Sequence, residues 1–400
     1  MLKYNRFKRC TWSNGGKSMK NRSFKESYIG LKLRQFKHKL LYKYKYHRMK
    51  SANKRYKNCK DKKSKRQIRA EISICKIFWG CYPLHYFRYD LYKRDKKLTK
   101  EELINYIPEF FFYNLFLSHH DGEKYSILLG DKNIAELLFK SVSIKQPYTI
   151  CKLINGKIYT SDLEEKKFYE INLELKEKLY KKIFIKPVDG EGGYGIMIFH
   201  LSADNKYLNN NNVELSETYL LDIGKQNNYI IQKGVIQDEC ITKIYPSSVN
   251  TFRIATENIK GKVRVICGAL RIGREGNEVD NASQDGIVLG IDCNTGKCSD
   301  YASTEEGEIF YKHPDSNFVF KNHKIDKWNI IKDFTIECAS KLPQFTYLGW
   351  DIALTEEGPI AIETNLGFAI DLFQIALGGL KENFKINDPN KYWKKREAKF

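Results

Sequence analysis

Paired cysteine motifs, long apolar runs and acidic residues near the N-terminus are what this 400-residue chain lacks. None of its ten cysteines, at 10, 59, 75, 81, 151, 240, 267, 293, 298 and 338, forms a CxxC pair. Zinc sites usually draw on two tight Cys or His pairs, so a structural zinc module is excluded. Scattered thiols instead suggest a reduced, cytoplasmic chain. Membrane-spanning helices need about 18 or more consecutive apolar residues, and no run reaches that length. Met1 to Arg6 include no apolar h-region, so no secretory signal peptide is expected. Nine prolines and 26 glycines are too few for a collagen-like or low-complexity chain. The 42% hydrophobic content is too high for wholesale disorder and supplies a real core.

Charge is unevenly placed. The net charge is +21, but residues 1–70 hold 25 Lys/Arg against only Glu26 and Asp61, a surplus of 23. The remaining 330 residues hold 44 Lys/Arg and 46 acids. The body is therefore near neutral and carries a cationic extension. Aromatic residues interleave with its lysines, and Ile29, Leu33, Phe36, Leu40 and Tyr44 are spaced as one helical face. Such a segment suits an anionic membrane surface, at the inner face of the membrane for a cytoplasmic chain, or it packs on the body as a solvated arm. Nucleic acid is the weakest partner, because no binding motif accompanies the charge.

The pattern along the chain marks five regions. Residues 1–70 are the basic extension, and 71–126 are rich in aromatics and read as a small, mostly helical N-terminal lobe. Residues 127–235 and 236–382 alternate strands with helices and read as two α+β lobes, and 383–400 read as a polar tail. Asp131 starts a helix running through Phe139. Ile183–Lys186 is a buried-type strand stopped by Pro187, and strand resumes at Gly195–Phe199. Strands are also expected at Tyr229–Gln232, Asn250–Thr256 and Val263–Arg271, with a hairpin from Tyr347–Leu354 to Ile360–Glu363. His119-His120 resembles a metal pair, but adjacent side chains point apart, which favours two independent histidines.

Three groups of residues could carry chemistry. Lys186 ends a buried strand, where its charge costs desolvation unless an anion pairs with it. Four glycines follow within Gly190–Gly195, allowing close backbone approach. The pair suits a flap over phosphate, against the plainer reading of a turn. The glycines join two strands, so neither a P-loop nor a dinucleotide fingerprint is present. Second, Asp351 and Glu363, twelve residues apart on a hairpin, can reach the same end, with Asn365 on the same side as Glu363. Two carboxylates and an amide oxygen in apolar surroundings suit Mg²⁺ with phosphate, against solvent-facing acids on edge strands. Third, Arg253 and Arg271 lie inside strands, where a permanent cation needs an anion. That anion is a phosphate or carboxylate ligand, or a structural partner such as Asp280.

In this order the motifs resemble the ATP-grasp superfamily, most closely its sugar-transfer-associated branch, found near polysaccharide-biosynthesis genes. They are Gly130-Asp131-Lys132, Phe184-Ile185-Lys186-Pro187 with the Glu191–Gly195 flap, Ile230-Ile231-Gln232-Lys233, Asn250-Thr251-Phe252-Arg253, Leu270-Arg271-Ile272-Gly273, Val279-Asp280-Asn281, His313-Pro314-Asp315, Gly349-Trp350-Asp351 and Glu363-Thr364-Asn365. The resemblance runs from about residue 80 to 378 and leaves the basic extension outside. It implies an ATP-grasp fold of class α+β, two lobes clasping ATP, behind a helical, basic N-terminal extension.

By that resemblance, Lys132 and Lys186 hold ATP phosphates beneath the loop of Glu191, Gly192, Gly193, Tyr194 and Gly195. Gln232, Lys233 and Val235 line the adenine, with Gln232 standing where many relatives have Glu. Asp238 or Glu239 binds the ribose. Asp351, Glu363 and Asn365 hold one or two Mg²⁺, Arg253 and Arg271 face the transferred phosphoryl group, and Asp280 and Asn281 form a branch-specific element on the substrate or the metal side. The implied activity is carboxylate activation: an acyl phosphate forms on a small-molecule or sugar-linked carboxylate, and an amine or other nucleophile displaces phosphate. The other readings are a phosphotransferase that stops at phosphorylation and a non-catalytic nucleotide-binding module at the membrane surface.

Overall fold

The computed structural model describes residues 47–120, 125–190, 192–280 and 286–397. The Ile29–Tyr44 face, Glu191 and Asn281 lie outside the described residues. Two antiparallel sheets of seven strands dominate. The first is built from β1 (Thr149–Ile154), β2 (Lys157–Tyr159), β3 (Glu165–Lys166), β4 (Lys182–Pro187), β5 (Met197–Leu201), β6 (Tyr207–Asn209) and β7 (Tyr229–Lys233), in the order β3-β2-β1-β7-β4-β5-β6. The second is built from β8 (Thr251–Ile259), β9 (Lys262–Ile272), β10 (Ile287–Ile291), β11 (Cys298–Ser303), β12 (Ile309–Phe310), β13 (Tyr347–Thr355) and β14 (Gly358–Asn365), in the order β12-β11-β10-β9-β8-β13-β14. The longer helices are α1 (His47–Asn58), α2 (Lys65–Trp79), α3 (Lys132–Ser141), α4 (Phe168–Lys178), α5 (Glu217–Gly224), α6 (Trp328–Ser340), α7 (Ile370–Leu377) and α8 (Asn390–Glu397).

Alternation along the strands decides what each sheet face meets. In the first sheet, Leu153, Ile183, Ile185, Phe199 and Ile231 share a core with Ile171 and Leu175 of α4 and Leu220 of α5. Lys182, Phe184 and Lys186 of β4 alternate with that buried set and point from the opposite face. Asp131 caps α3, accepting from the backbone N–H groups of Asn133 and Ile134 at 2.8 and 3.1 Å, as its position in the sequence predicts. Although α3 precedes the first sheet, its Phe139 packs into the core of the second. A buried Lys152–Glu136 ion pair of 2.7 Å ties α3 back to β1.

One face of the second sheet packs on α6 through Phe252, Ile254, Leu270, Ile272, Trp328, Ile331 and Trp350. Part of the other face, including Ala255, Cys267, Ala269, Val288 and Tyr347, is covered by Trp79, Phe111, Phe112, Phe116, Phe368 and Phe384. The aromatic stretch expected as a small separate lobe thus shares its core with the second sheet. Residues beyond 383, expected as a polar tail, are anchored: Phe384, Ile386, Tyr392 and Trp393 are buried in the same cluster. Charged residues between these side chains mask the pattern in the sequence. The Trp393 indole donates to the Trp79 carbonyl at 3.0 Å and lies against Gly80, which ends α2 in the left-handed region at φ 69°. His119 and His120 face the rings of Tyr347 and Tyr392. Among the described residues, no group of three or more His, Cys, Asp and Glu gathers as a metal site. No described helix is long and apolar enough to cross a membrane.

Candidate functional site: a cleft between two sheets

The turn Glu356-Glu357 pairs Thr355 with Gly358 and starts the register of the β13–β14 hairpin, and a register shift between Asp351 and Ile352 then places Asp351 opposite Glu363. On its other side Asp351 stands opposite Arg253 of β8. Asp351 is almost fully buried and sits between two guanidinium groups. Arg253 Nε lies 2.8 Å from its Oδ1, and Arg271 donates to its Oδ2 at 3.0 Å. Asp280 takes the far side of Arg271 at 3.1 Å. The same Asp280 accepts from the Thr251 backbone N–H at 2.7 Å and from the Thr251 hydroxyl. Glu363 and Asn365 are partly buried at the end of β14, where the Asn365 amide donates to Glu363 at 3.1 Å.

The first sheet contributes lysines from the opposite side. Lys186 ends β4 and donates to the Gln232 side chain at 3.0 Å. Gln232 is itself buried and donates to the Thr149 hydroxyl at 3.3 Å. Lys132 stands at the first turn of α3, where its backbone N–H donates to Val188 at 2.9 Å and its ammonium to the Gly190 carbonyl. The glycine loop joins β4 to its hairpin partner β5, as expected. Gly192, Gly193 and Gly195 all adopt positive φ, at 67°, 71° and 76°, which other residues reach only with strain. Tyr194 at the tip is exposed.

The two sets act on each other electrostatically. Lys186 is shifted down to about 8, chiefly by burial and further by the like charge of Lys132, while Glu363 and Asp280 pull the other way. Glu363 is held below the usual carboxylate range: Arg253, Lys132 and Arg271 outweigh the opposing effect of burial. Its neighbour Asp351 is pushed upward, by burial first and by the Glu363 charge in addition. A carboxylate of the second sheet therefore feels lysines of both α3 and the first sheet. The arrangement can hold a multiply charged anion between cations, with hard oxygen ligands for a divalent ion on its second-sheet side.

Lys132, Lys186, Arg253, Arg271, Asp351 and Glu363 interact electrostatically as one group, with Asn365 bonded to Glu363 and the start of the glycine loop bonded to Lys132 through Gly190. Three expected residues are otherwise engaged. Asp238 caps the short helix Glu239–Thr242, accepting from the Cys240 N–H at 3.0 Å, and pairs with Lys327 at 2.6 Å. Glu239 is exposed and pairs with Lys243. Asp280 has both oxygens bound by Arg271 and Thr251, so it holds a side chain in place where a substrate contact was expected. Lys233 is exposed, its ammonium over the Tyr180 ring, and Val235 is partly buried just beyond β7. Sequence reasoning missed Glu278, which pairs with Lys182 at 2.6 Å and His200 at 2.9 Å on the first sheet. The only sequence signal for it is position, two residues before Asp280.

A family model described as sugar-transfer associated ATP-grasp matches residues 114–385, more than half of the chain. Similar solved structures include the biotin carboxylase domain of the Hydrogenobacter thermophilus 2-oxoglutarate carboxylase, at 12% identity, covering 63% of this chain and 46% of that one, with a TM-score of 0.34. The biotin carboxylase of Campylobacter jejuni matches at 9% identity, covering 65% of this chain and 46% of that one, with a TM-score of 0.37. The D-alanyl-alanine synthetase A of Vibrio cholerae matches at 12% identity, covering 68% and 66%, with a TM-score of 0.36. The chain spans less than half the length of the two carboxylases. No curated protein matches.

Proposed function

The chain belongs to the sugar-transfer associated ATP-grasp family, and we propose that it is an ATP- and Mg-dependent ligase that joins a carboxylate to an amine or other nucleophile in building or modifying a surface polysaccharide. The observation that carries this reading is electrostatic contact between the two sheets: the charge of Glu363 on the second sheet acts on Lys186 of the first, and Lys132 of α3 acts on Glu363. In the reaction, the terminal phosphoryl group passes to a carboxylate oxygen, and the nucleophile then displaces phosphate from the acyl phosphate. No protein nucleophile is required.

The residues divide the work by charge. Lys186 and Lys132 bind nucleotide phosphates, and the positive-φ glycines let the loop backbone approach them and exclude water from a reactive mixed anhydride. Arg253 and Arg271 face the transferred group, where negative charge spreads over phosphoryl oxygens. Gln232, Lys233 and Val235 border the base. The donor chemistry of Asp351, Glu363 and Asn365 fits magnesium, which is commonly held by one or two carboxylates and completes its shell with phosphate and water. A bound magnesium would neutralise phosphate charge.

The test is ADP release in the presence of paired panels of amino acids, amines and sugar acids, with mass spectrometry of the product. The expected product has the mass of carboxylate plus nucleophile less water. A stable phosphorylated product formed without nucleophile would make the protein a phosphotransferase, and nucleotide binding without turnover would make it a binding module.

For the cationic extension we propose an anionic membrane surface as partner. Its charge continues onto the described surface, where Lys54, Lys57, Lys60, Lys65, Arg66, Arg69 and Arg94 are exposed. Removing residues 1–46 spares buried Ala52 and the buried Lys63–Glu71 pair. It should weaken binding to phosphatidylserine vesicles at low salt, and unchanged binding would rule the anchor out.

A further inference from the structure

Glu278 and Asp280 lie two residues apart in the segment between β9 and β10, yet they hold opposite walls of the cleft. Glu278 faces the first sheet: its Oε2 lies 2.6 Å from Lys182 Nζ on β4, and its Oε1 lies 2.9 Å from His200 Nε2 on β5. Lys182 and His200 are cross-strand partners, so one carboxylate clamps two adjacent strands. Asp280 faces the second sheet. Its Oδ1 receives Arg271 at 3.1 Å, and its Oδ2 is fixed by the N–H and hydroxyl of Thr251. Val279 between them forms an isolated bridge with Val249, which ties the segment to the start of β8.

Arg271 is 7% exposed and clamped on two sides, by Asp280 and by Asp351. Its Nε has no hydrogen-bond partner among the described residues. A buried guanidinium with two of its nitrogens committed to carboxylates and its Nε–H still unpaired is oriented before any ligand arrives.

We propose that residues 278–280 are a strap that couples the position of the first lobe to the orientation of Arg271. Glu278 registers the first sheet through Lys182 and His200, and Asp280, two residues on and beyond the bridge that pins Val279 to Val249, sets the guanidinium. Glu278 and Asp280 are positioning residues in this scheme, and Arg271 is the group that meets the terminal phosphoryl. The strap makes the approach of the two sheets and the presentation of Arg271 a single event. The inference rests on the proposed binding of ATP in the cleft and goes beyond it in naming what aligns the arginine.

The test compares equilibrium dissociation constants for Mg·ADP and Mg·AMPPNP, whose ratio reads the contribution of the terminal phosphoryl. Melting curves establish that each variant is folded. Arg271→Lys should reduce the ADP/AMPPNP ratio roughly tenfold, the range of a charged hydrogen bond. Glu278→Gln should reduce the ratio by a similar factor although it lies outside contact with Arg271, and it should change ADP affinity little. Lys182→Met, which leaves Glu278 in place without its cation, should do the same. The double variant Glu278→Gln/Arg271→Lys should lose no more than Arg271→Lys alone, because both act through one guanidinium. Losses that multiply in the double variant, or equal weakening of ADP and AMPPNP by Glu278→Gln, would overturn the strap while leaving the ATP site standing. Failure of the wild-type protein to bind either nucleotide would overturn the ATP reading and the strap together.

Discussion

On one face of the second sheet, the half carrying Ala255, Cys267, Ala269 and Tyr347 is roofed by aromatic side chains, whereas the half carrying Arg253, Arg271 and Asp351 adjoins Glu363, whose charge acts on Lys186 of the first sheet. The two halves belong to the same strands and lie two residues apart along them: Ala255 and Arg253 on β8, Ala269 and Arg271 on β9. Gly349 marks the boundary on β13. A Cβ there would meet the Phe368 Cβ at 2.1 Å, so its absence lets Phe368 close the roof just short of Asp351. In the charged half the buried guanidinium groups of Arg253 and Arg271 are already paired with Asp351, so the cost of burying these ions is offset within the sheet. The apolar half stabilises the fold, and the charged half stays open for an anion.

That division can be tested by substitution on each side. The largest effect should come from Asp351→Ala, which leaves Arg253 and Arg271 buried without their shared counterion. Breaking a buried pair this way costs about 3–5 kcal/mol, so the melting temperature should fall and Mg·ADP binding should be lost together. Phe116→Ala, in the apolar half, should cost a comparable ~3–5 kcal/mol by opening a cavity, but the folded protein should bind Mg·ADP with unchanged affinity. Loss of binding in folded Phe116→Ala protein would erase the distinction between the halves. Gly349→Ala should cost less, about 1–3 kcal/mol of overpacking against Phe368, measurable as a shift in denaturant midpoint.

The smallest and most specific effect is a pH dependence. Lys186 lies at about 8 in the folded chain against an ordinary 10.5. Between those values the unfolded chain holds more protons, so stability should rise with pH across that window. Phosphate needs the protonated form, so Mg·ADP affinity should be level below about 8 and decline above it. Lys186→Met should bind more weakly and flatten both profiles, and a decline that persists in the variant would assign the titration elsewhere.

Much of this site is legible in the sequence because strand alternation and hairpin register are local rules. Lys186, four residues after Lys182, follows from alternation along one strand, and the two-residue turn brings Asp351 near Glu363, but their direct pairing needs a register shift between Asp351 and Ile352 that nothing in the sequence announces. Asp131 as a helix cap is equally local. Long-range partners are not. Glu278 meets Lys182 and His200 across 96 and 78 residues, and nothing near it in the chain announces them. Asp238 shows how one residue type serves two ends: an acid just past the hinge reads as a ribose ligand, but the same acid before a short helix is an N-cap, and Lys327 completes its pairing. Polarity hid the C-terminal anchor, since Lys381, Glu382 and Lys385 surround the buried Phe384 and Ile386.

The most direct test of the central claim is an experimental structure of the protein with Mg·ADP. The account predicts the β-phosphate within hydrogen-bond distance of Lys186, and magnesium on Glu363 with Asp351 or Asn365 beside it. Nucleotide bound elsewhere, or bound in the cleft with Lys186 and Glu363 on different faces of it, would contradict the account.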